Sequence, residues 1–256
     1  MTDLPKFWPS NANTIPDCYL RMPKTDTMKG VLVAVHGISR NAAEIALRFS
    51  QSSDFDDWAI VAPVFEKARF GQYQQLIANR RKTASDDGLL MLLEQLAQDY
   101  DLPVAQISLF GFSGGAQMVH RFTMLHPTRV SKVVAVAAGW YMLPDADLPY
   151  PIGWSDVGLG RNSDISLALT VPIAVLVGSD DKQRDAALRR SPIIDQRMGT
   201  NRYLRAKRWC REMRKAARNL GIKPKIEFDI VPDCTHDFGM CVEHGDLISL
   251  TAKYIN

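Results

Sequence analysis

The sequence predicts an α/β fold, a mostly parallel sheet with helices on both faces, and three observations carry that expectation. First, Val31-Leu-Val-Ala-Val35 is a β-branched run with no polar face, and Trp58-Ala-Ile-Val-Ala62, Val130–Ala138 and Val171–Val177 are further short, mainly apolar strand runs. Strands of that kind are buried on both sides, as parallel sheets covered by helices require. Second, helix-length segments lie between them, such as the one carrying Leu89, Leu90, Leu92, Leu93 and Leu96 on one face. Third, residues 105–125 run without interruption as strand, glycine-rich turn and helix. At 256 residues and 46% hydrophobic content the chain can bury one sizeable core, so a single domain over 1–256 is expected.

Taken in order, residues 1–14 carry Pro5 and Pro9 among turn formers and read as an irregular lead-in. Ile15–Arg21 alternates weakly, an antiparallel edge strand with Pro16 tolerated near its start. The buried run 31–35 ends in His36-Gly37-Ile38-Ser39, Asn41–Phe49 reads as a helix, and the strand at 58–62 is stopped by Pro63. Residues 63–84, with Arg69, Phe70, Tyr73, Arg80, Arg81 and Lys82, read as solvated loop or helix surface, with substrate contact as the alternative. Ser85 then caps a helix whose first turn holds Asp86 and Asp87, acids suited to the positive end of the dipole.

The segment Gly111-Phe112-Ser113-Gly114-Gly115 places a serine at the apex of a strand-to-helix turn, ahead of a helix with apolar Met118, Val119, Phe122 and Leu125. Such a turn strains the serine backbone and exposes the hydroxyl, and glycines at 111 and 115 let neighbouring backbones approach. The first amides of the helix point at the same spot, so the Gly114 N–H can stabilise charge developing on a substrate oxygen. This is the G-x-S-x-G nucleophile elbow. After the next strand come Gly139–Thr170, with Trp140, Tyr141, Tyr150 and Trp154 among prolines and glycines. The strand at 171–177 ends in Gly178-Ser179-Asp180-Asp181, followed by a helix near Tyr203–Leu220 closed by Gly221, a strand Lys225–Val231, a loop containing His236, and a closing helix near Val242–Tyr254.

With these motifs the chain resembles serine esterases of the α/β-hydrolase superfamily, in particular small esterases related to polyhydroxyalkanoate depolymerases. The likeness spans roughly residues 15–256 and is strongest at the four short motifs around His36-Gly37, Ser113, Asp181 and His236. It implies a triad in the order Ser, Asp, His. Ser113 is then the nucleophile, and His236 the base, since only His236 and His244 follow the acid and His236 sits in the loop after the last strand. The acid is Asp181, three residues after the strand-end glycine, with Asp180 as the alternative. The amide of Ile38 becomes the second oxyanion donor beside that of Gly114, while His36 has no place in the order and reads as scaffold. The resemblance also makes 139–170 a short, loop-like lid over a shallow pocket, where Trp140 and Tyr141 either touch substrate or pack the loop.

The reaction implied is cleavage of a small-molecule carboxylic ester, of short to medium acyl length, through an acyl-enzyme, and it calls for no metal or organic cofactor. Acyltransferase, thioesterase, lactonase or peptidase chemistry on the same triad stays open. No stretch approaches 18 uninterrupted apolar residues and the N-terminus lacks the order of a signal peptide, so a cytoplasmic protein without membrane contact is expected, its oligomeric state undetermined. The formal charge of +3 is uneven: residues 201–219 hold Arg202, Arg205, Lys207, Arg208, Arg211, Arg214, Lys215 and Arg218 against Glu212, a net +7 that leaves −4 elsewhere. A solvated helix face is the expected reading, and a non-catalytic anion-binding module the rival one; stacking aromatics beyond Tyr203 and Trp209 are absent from the segment, so no nucleic-acid partner is expected. Of the four cysteines, Cys234 and Cys241 flank His236 closely enough for a disulfide or a metal site, but scattered reduced thiols fit better.

Overall fold

The structure, a computed structural model, describes residues 4–78, 83–155 and 165–256. Along the chain these form β1 (Lys6–Trp8), β2 (Asp17–Arg21), β3 (Gly30–Val35), α1 (Ala42–Ser50), β4 (Trp58–Val64), α2 (Ser85–Tyr100), β5 (Ile107–Phe112), α3 (Gly114–Leu125), β6 (Val130–Val136), α4 (Ile165–Ala168), β7 (Ile173–Gly178), α5 (Pro192–Met198), α6 (Arg202–Asn219), β8 (Ile226–Val231), α7 (Phe238–Glu243) and α8 (Leu247–Ile255). The strands make one sheet in the order β1-β2-β4-β3-β5-β6-β7-β8. Only the β1–β2 and β2–β4 pairings are antiparallel.

The unbroken apolar runs follow from this layering. In β3, Val31, Val33 and Val35 face a core shared with α2, α3 and α6, while Leu32 and Ala34 face a second core shared with α1, α7 and α8. Both faces are covered, so no strand position at the centre has water to meet. Each buried Val, Leu or Ile contributes about 1.5–3 kcal/mol relative to exposure. Among the described residues, no helix is long and apolar enough to cross a membrane.

Several local expectations change. The lead-in contains β1, paired with β2 in register Phe7↔Tyr19, so β2 is not the sheet edge. A three-residue strand whose Phe7 is half exposed leaves no periodic signature. The closing helix is two, α7 and α8, broken where Gly245 packs so tightly on Val231 that a Cβ would lie 2.3 Å from its Cγ1, and where Asp246 takes φ 50°. Ser85 is the first residue of α2 rather than its cap, and its hydroxyl donates to Tyr73 O at 2.7 Å. Asp86 is fully buried with its Oδ2 2.9 Å from His126 Nε2. Phe70 and Tyr73 are core residues, not surface. Arg80, Arg81 and Lys82, like residues 156–164 of the expected lid, lie outside the described residues.

The basic helix departs furthest from expectation. Arg202 and Arg205 of α6 are buried, at 2% and 0% exposure, beside Trp209 and Met213. Arg205 donates to the carbonyls of Gly199, Gly139 and Arg189 at 2.8, 2.6 and 2.9 Å, and to Asp195 Oδ1 at 2.7 Å. Its charge is spent inside the fold, which removes it from any anion-binding surface. Arg205→Met is expected to cost roughly 3 kcal/mol, the lower end for breaking a buried pair because Asp195 is partly solvated. Arg208→Glu on the outer face should stay within about 0.5 kcal/mol. Urea melts followed by far-ultraviolet circular dichroism decide it, and equal costs at the two positions would contradict the roles assigned here.

Candidate active site

The site is assembled where the parallel strands end. Ser113 follows β5 with φ 54° and ψ −108°, a left-handed backbone that costs about 1–3 kcal/mol in a non-glycine residue. Two clashes avoided hold it there. A Cβ on Gly111 would lie 2.4 Å from the Gly115 carbonyl carbon, and one on Gly115 would lie 2.1 Å from Val35 O, so α3 can start against β5 and β3 only with glycine at both positions. The Ser113 N–H donates to Val136 O at 2.8 Å, tying the turn to the end of β6.

The Ser113 hydroxyl meets His236 Nε2 at 2.9 Å, and His236 Nδ1 lies 2.9 Å from Asp181 Oδ2. An ionised Asp181 accepts from Nδ1–H, which leaves Nε2 free to accept the serine proton. Asp181 is 3% exposed, whereas Asp180 is turned to solvent and takes a bond from Ser179 Oγ, so the structure brings Asp181 rather than Asp180 to the imidazole. The Phe112 ring stacks on His236 at 5.3 Å and 20°, holding its plane. His236 is carried on the loop between β8 and α7, and that loop is anchored to β7: a Cβ on Gly178 would sit 2.2 Å from Cys234 O.

Gly37 faces Ser113, a Cβ there lying 3.6 Å from the serine Cβ, and Ile38 N is 3.4 Å from the Cβ position of Gly114. The loop at Gly37 and Ile38 thus lies against the turn that carries Ser113 and Gly114. His36 supports this loop from beneath: Phe65 N–H donates to its Nε2 at 3.0 Å, its Nδ1–H donates to Gly37 O at 2.8 Å, and the Tyr73 hydroxyl donates to His36 O at 2.9 Å. Burial lowers the His36 pKa to about 4, so the ring is a neutral strut. Tyr73, hidden in an aromatic stretch with no period, is a supporting residue that sequence reasoning placed on the surface.

A cleft of about 340 Å³ opens beside Ser113 and His236, lined also by Ile38, Ile45, Phe112, Phe238, Glu44 and Asp237. Trp140 and Tyr141 do not line it; of the two roles expected for them, packing is the one their contacts show. Tyr141 is fully buried and stacks on Trp209 at 4.9 Å, and the Arg121 and Arg189 guanidinium groups lie over the Trp140 ring at 4.2 and 5.1 Å. Their position at the end of a buried strand commits them to the core beneath α6. The described part of the expected lid packs the same way: Met142 N–H donates to buried His120, and Trp209 Nε1–H to Met142 O. The four cysteines are free and buried, with burial raising the thiol pKa values, Cys18 and Cys210 to about 12. Among the described residues, no group of three or more His, Cys, Asp or Glu side chains is placed to hold a metal ion.

No protein-family model and no curated protein matches the chain. Solved structures do. The poly(aspartic acid) hydrolase-1 of Sphingomonas sp. KT-1 superimposes with a TM-score of 0.81 at 23% identity, over 97% of this chain and 100% of that one. LpqC, a poly(3-hydroxybutyrate) depolymerase from Bordetella parapertussis, gives 0.78 at 25% identity, over 95% and 84%. The fold is the α/β-hydrolase fold. An S-formylglutathione hydrolase from Agrobacterium tumefaciens shares it more distantly, with a TM-score of 0.59 at 13% identity over 98% and 94%. This α/β-hydrolase chain thus has the likeness to polyhydroxyalkanoate depolymerases that its motifs suggested.

The neutral His36 has a consequence for stability. Its pKa is about 4 in the folded chain against 6.5 when unfolded, so between these values the unfolded chain takes up a proton that the folded one refuses. Stability is full above pH 6.5 and falls on acidification toward pH 4, by up to about 3 kcal/mol. Urea midpoints measured across that window should drop for the wild type and flatten for His36→Gln, with a residual slope from His120, which burial also keeps neutral. A wild-type midpoint constant between pH 6.5 and 4 would show that His36 is not held neutral.

Proposed function

We propose that this α/β-hydrolase is a serine hydrolase that cleaves a carboxylic ester of short to medium acyl length through an acyl-enzyme. The observation that carries the reading is the hydrogen-bonded chain from Ser113 Oγ through His236 to Asp181, at 2.9 Å for each link, beside a cleft of mixed apolar and polar lining. His236 takes the serine proton as Ser113 attacks the carbonyl, and Asp181 fixes the imidazole tautomer and stabilises the imidazolium. The Ile38 and Gly114 amides receive the oxyanion, and water then releases the acyl group. Kinship of fold with a poly(3-hydroxybutyrate) depolymerase supports an ester as the bond cleaved.

Ser113→Ala and His236→Ala should each lower turnover of p-nitrophenyl acetate by about 10⁴ to 10⁶ while leaving the fold intact, because triad members act as one unit. Asp181→Asn should lose about 10⁴ and Asp180→Asn little. A fluorophosphonate should label Ser113; labelling elsewhere, or full turnover by Ser113→Ala, would rule the reading out.

Acyl length is set by the walls of the cleft. Each methylene contributes about 0.8 kcal/mol only where it is buried, and of the apolar residues that line the cleft, Ile38 is exposed while Ile45, Phe112 and Phe238 are largely covered, which leaves little apolar surface for a long chain. Across p-nitrophenyl esters of graded length, kcat/KM should therefore rise over a few carbons and then level. A continued rise through twelve carbons would sink the preference for short chains.

A further inference from the structure

The acid of the proposed triad has a second partner. Arg202, at the first turn of α6, places Nη1 3.3 Å from Asp181 Oδ1, the carboxylate oxygen that His236 does not use. The same guanidinium binds Asp185 with both arms, Nη1 to Oδ2 at 2.6 Å and Nη2 to Oδ1 at 3.2 Å. Arg202 is 2% exposed and Asp185 closes the pair from the solvent side, at 40% side-chain exposure. The backbone repeats the link, since Tyr203 N–H donates to Asp181 O at 3.3 Å.

A buried cation against a triad carboxylate has two opposed effects. It fixes the orientation of Asp181, which favours the productive tautomer of His236. It also offsets the negative charge that stabilises the imidazolium, which weakens the base. A second carboxylate on the far side of the guanidinium restores the balance. Asp185 is within electrostatic reach of His236, and its own carboxyl is held below the usual range chiefly by its hydrogen bond to Arg202.

We propose that Arg202 and Asp185 are a positioning pair for the triad, Arg202 orienting Asp181 and Asp185 cancelling the charge that Arg202 would otherwise impose on His236. This inference rests on the triad reading above. The groups around His236 are Asp181 and Asp185 from the segment after β7, Arg202 from α6, Glu44 from α1 across the cleft, the neighbouring Asp237, and the protonated thiols of Cys234 and Cys241. Of these, the two members of the pair carry opposite charge, so removing them should act on the base in opposite directions.

The test is the pH dependence of Ser113 labelling by a fluorophosphonate, which reports activation of the nucleophile whatever the substrate. Arg202→Met removes a cation and leaves Asp185 uncancelled, so the imidazolium is favoured and the acid limb of the profile should move up by about one pH unit. Asp185→Asn leaves the cation uncancelled, so the limb should move down by a similar amount. Arg202→Lys keeps the charge but not the fork, so the limb should stay in place while the maximal rate falls. Thermal melts accompany each profile; should Arg202→Met not fold, the downward shift in Asp185→Asn and the unmoved limb in Arg202→Lys decide the matter. Limbs that do not move, or move the same way in both charge-removing variants, would reduce the pair to a structural tie and overturn the proposal. A wild-type protein that is not labelled at Ser113 would instead overturn the triad reading, and the two failures cannot be confused.

Discussion

The site depends on how closely α3 approaches the end of β3. With Val35 O only 2.1 Å from where a Gly115 side chain would begin, the helix starts in contact with strand backbone. That contact forces the reversal at Ser113 into φ 54° and turns the hydroxyl out of the sheet. It also brings the first amide of α3 beside the loop at Gly37 and Ile38, because that loop leaves β3 at the same point. The proposed nucleophile and the proposed oxyanion donors are therefore brought together by one backbone packing, and the strain at Ser113 is offset by the sheet around it.

The sequence made this part legible because backbone contact leaves a signature in residue type. Gly111, Gly115 and Gly178 stand where only glycine fits, and each was readable beside a buried strand. The triad order then assigned Ser113, Asp181 and His236, which the structure brings within hydrogen-bonding distance of one another. The two-sided apolar runs likewise announced a covered parallel sheet, since a strand with no polar face admits few other environments.

Side-chain commitments were not legible, and the misses share a cause. Trp140 and Tyr141 follow a strand end, where aromatic residues serve a pocket or a core equally well in composition; their packing is set by partners distant in sequence, Trp209 and His120 for Tyr141 and Arg121 and Arg189 for Trp140. Arg202 and Arg205 sit in a run of eight basic residues, and charge counting cannot distinguish the two that turn inward from those that face water. Their helical positions align with the apolar Trp209 and Met213, a faint signal that an arginine normally overrides. For β1, three residues with an exposed Phe7 have too little burial to leave a pattern.

Those inward arginines explain how a site made of loops is kept still without disulfides. Segments that leave a parallel sheet have no strand partner, so their buried carbonyls need donors. Arginine is suited to supply them, with five N–H groups in a planar fork that stays charged when buried. Arg205 ties together the carbonyls of Gly139, Arg189 and Gly199, and Arg121 those of Gln74 and Gln117. On the other side of the sheet, Arg21 holds Phe55 O at 2.7 Å. Arg205 thus ties the segments that leave β6 and β7 to the start of α6, while Arg121 and Arg21 hold loop carbonyls against a helix and a strand. Arg202 uses the same device on carboxylates instead of carbonyls, and there the structural strut bonds a residue of the proposed chemistry. A fold that relies on buried cations for rigidity must still satisfy their charge, and where one abuts the proposed triad acid, the proposal makes the balancing carboxylate part of the site.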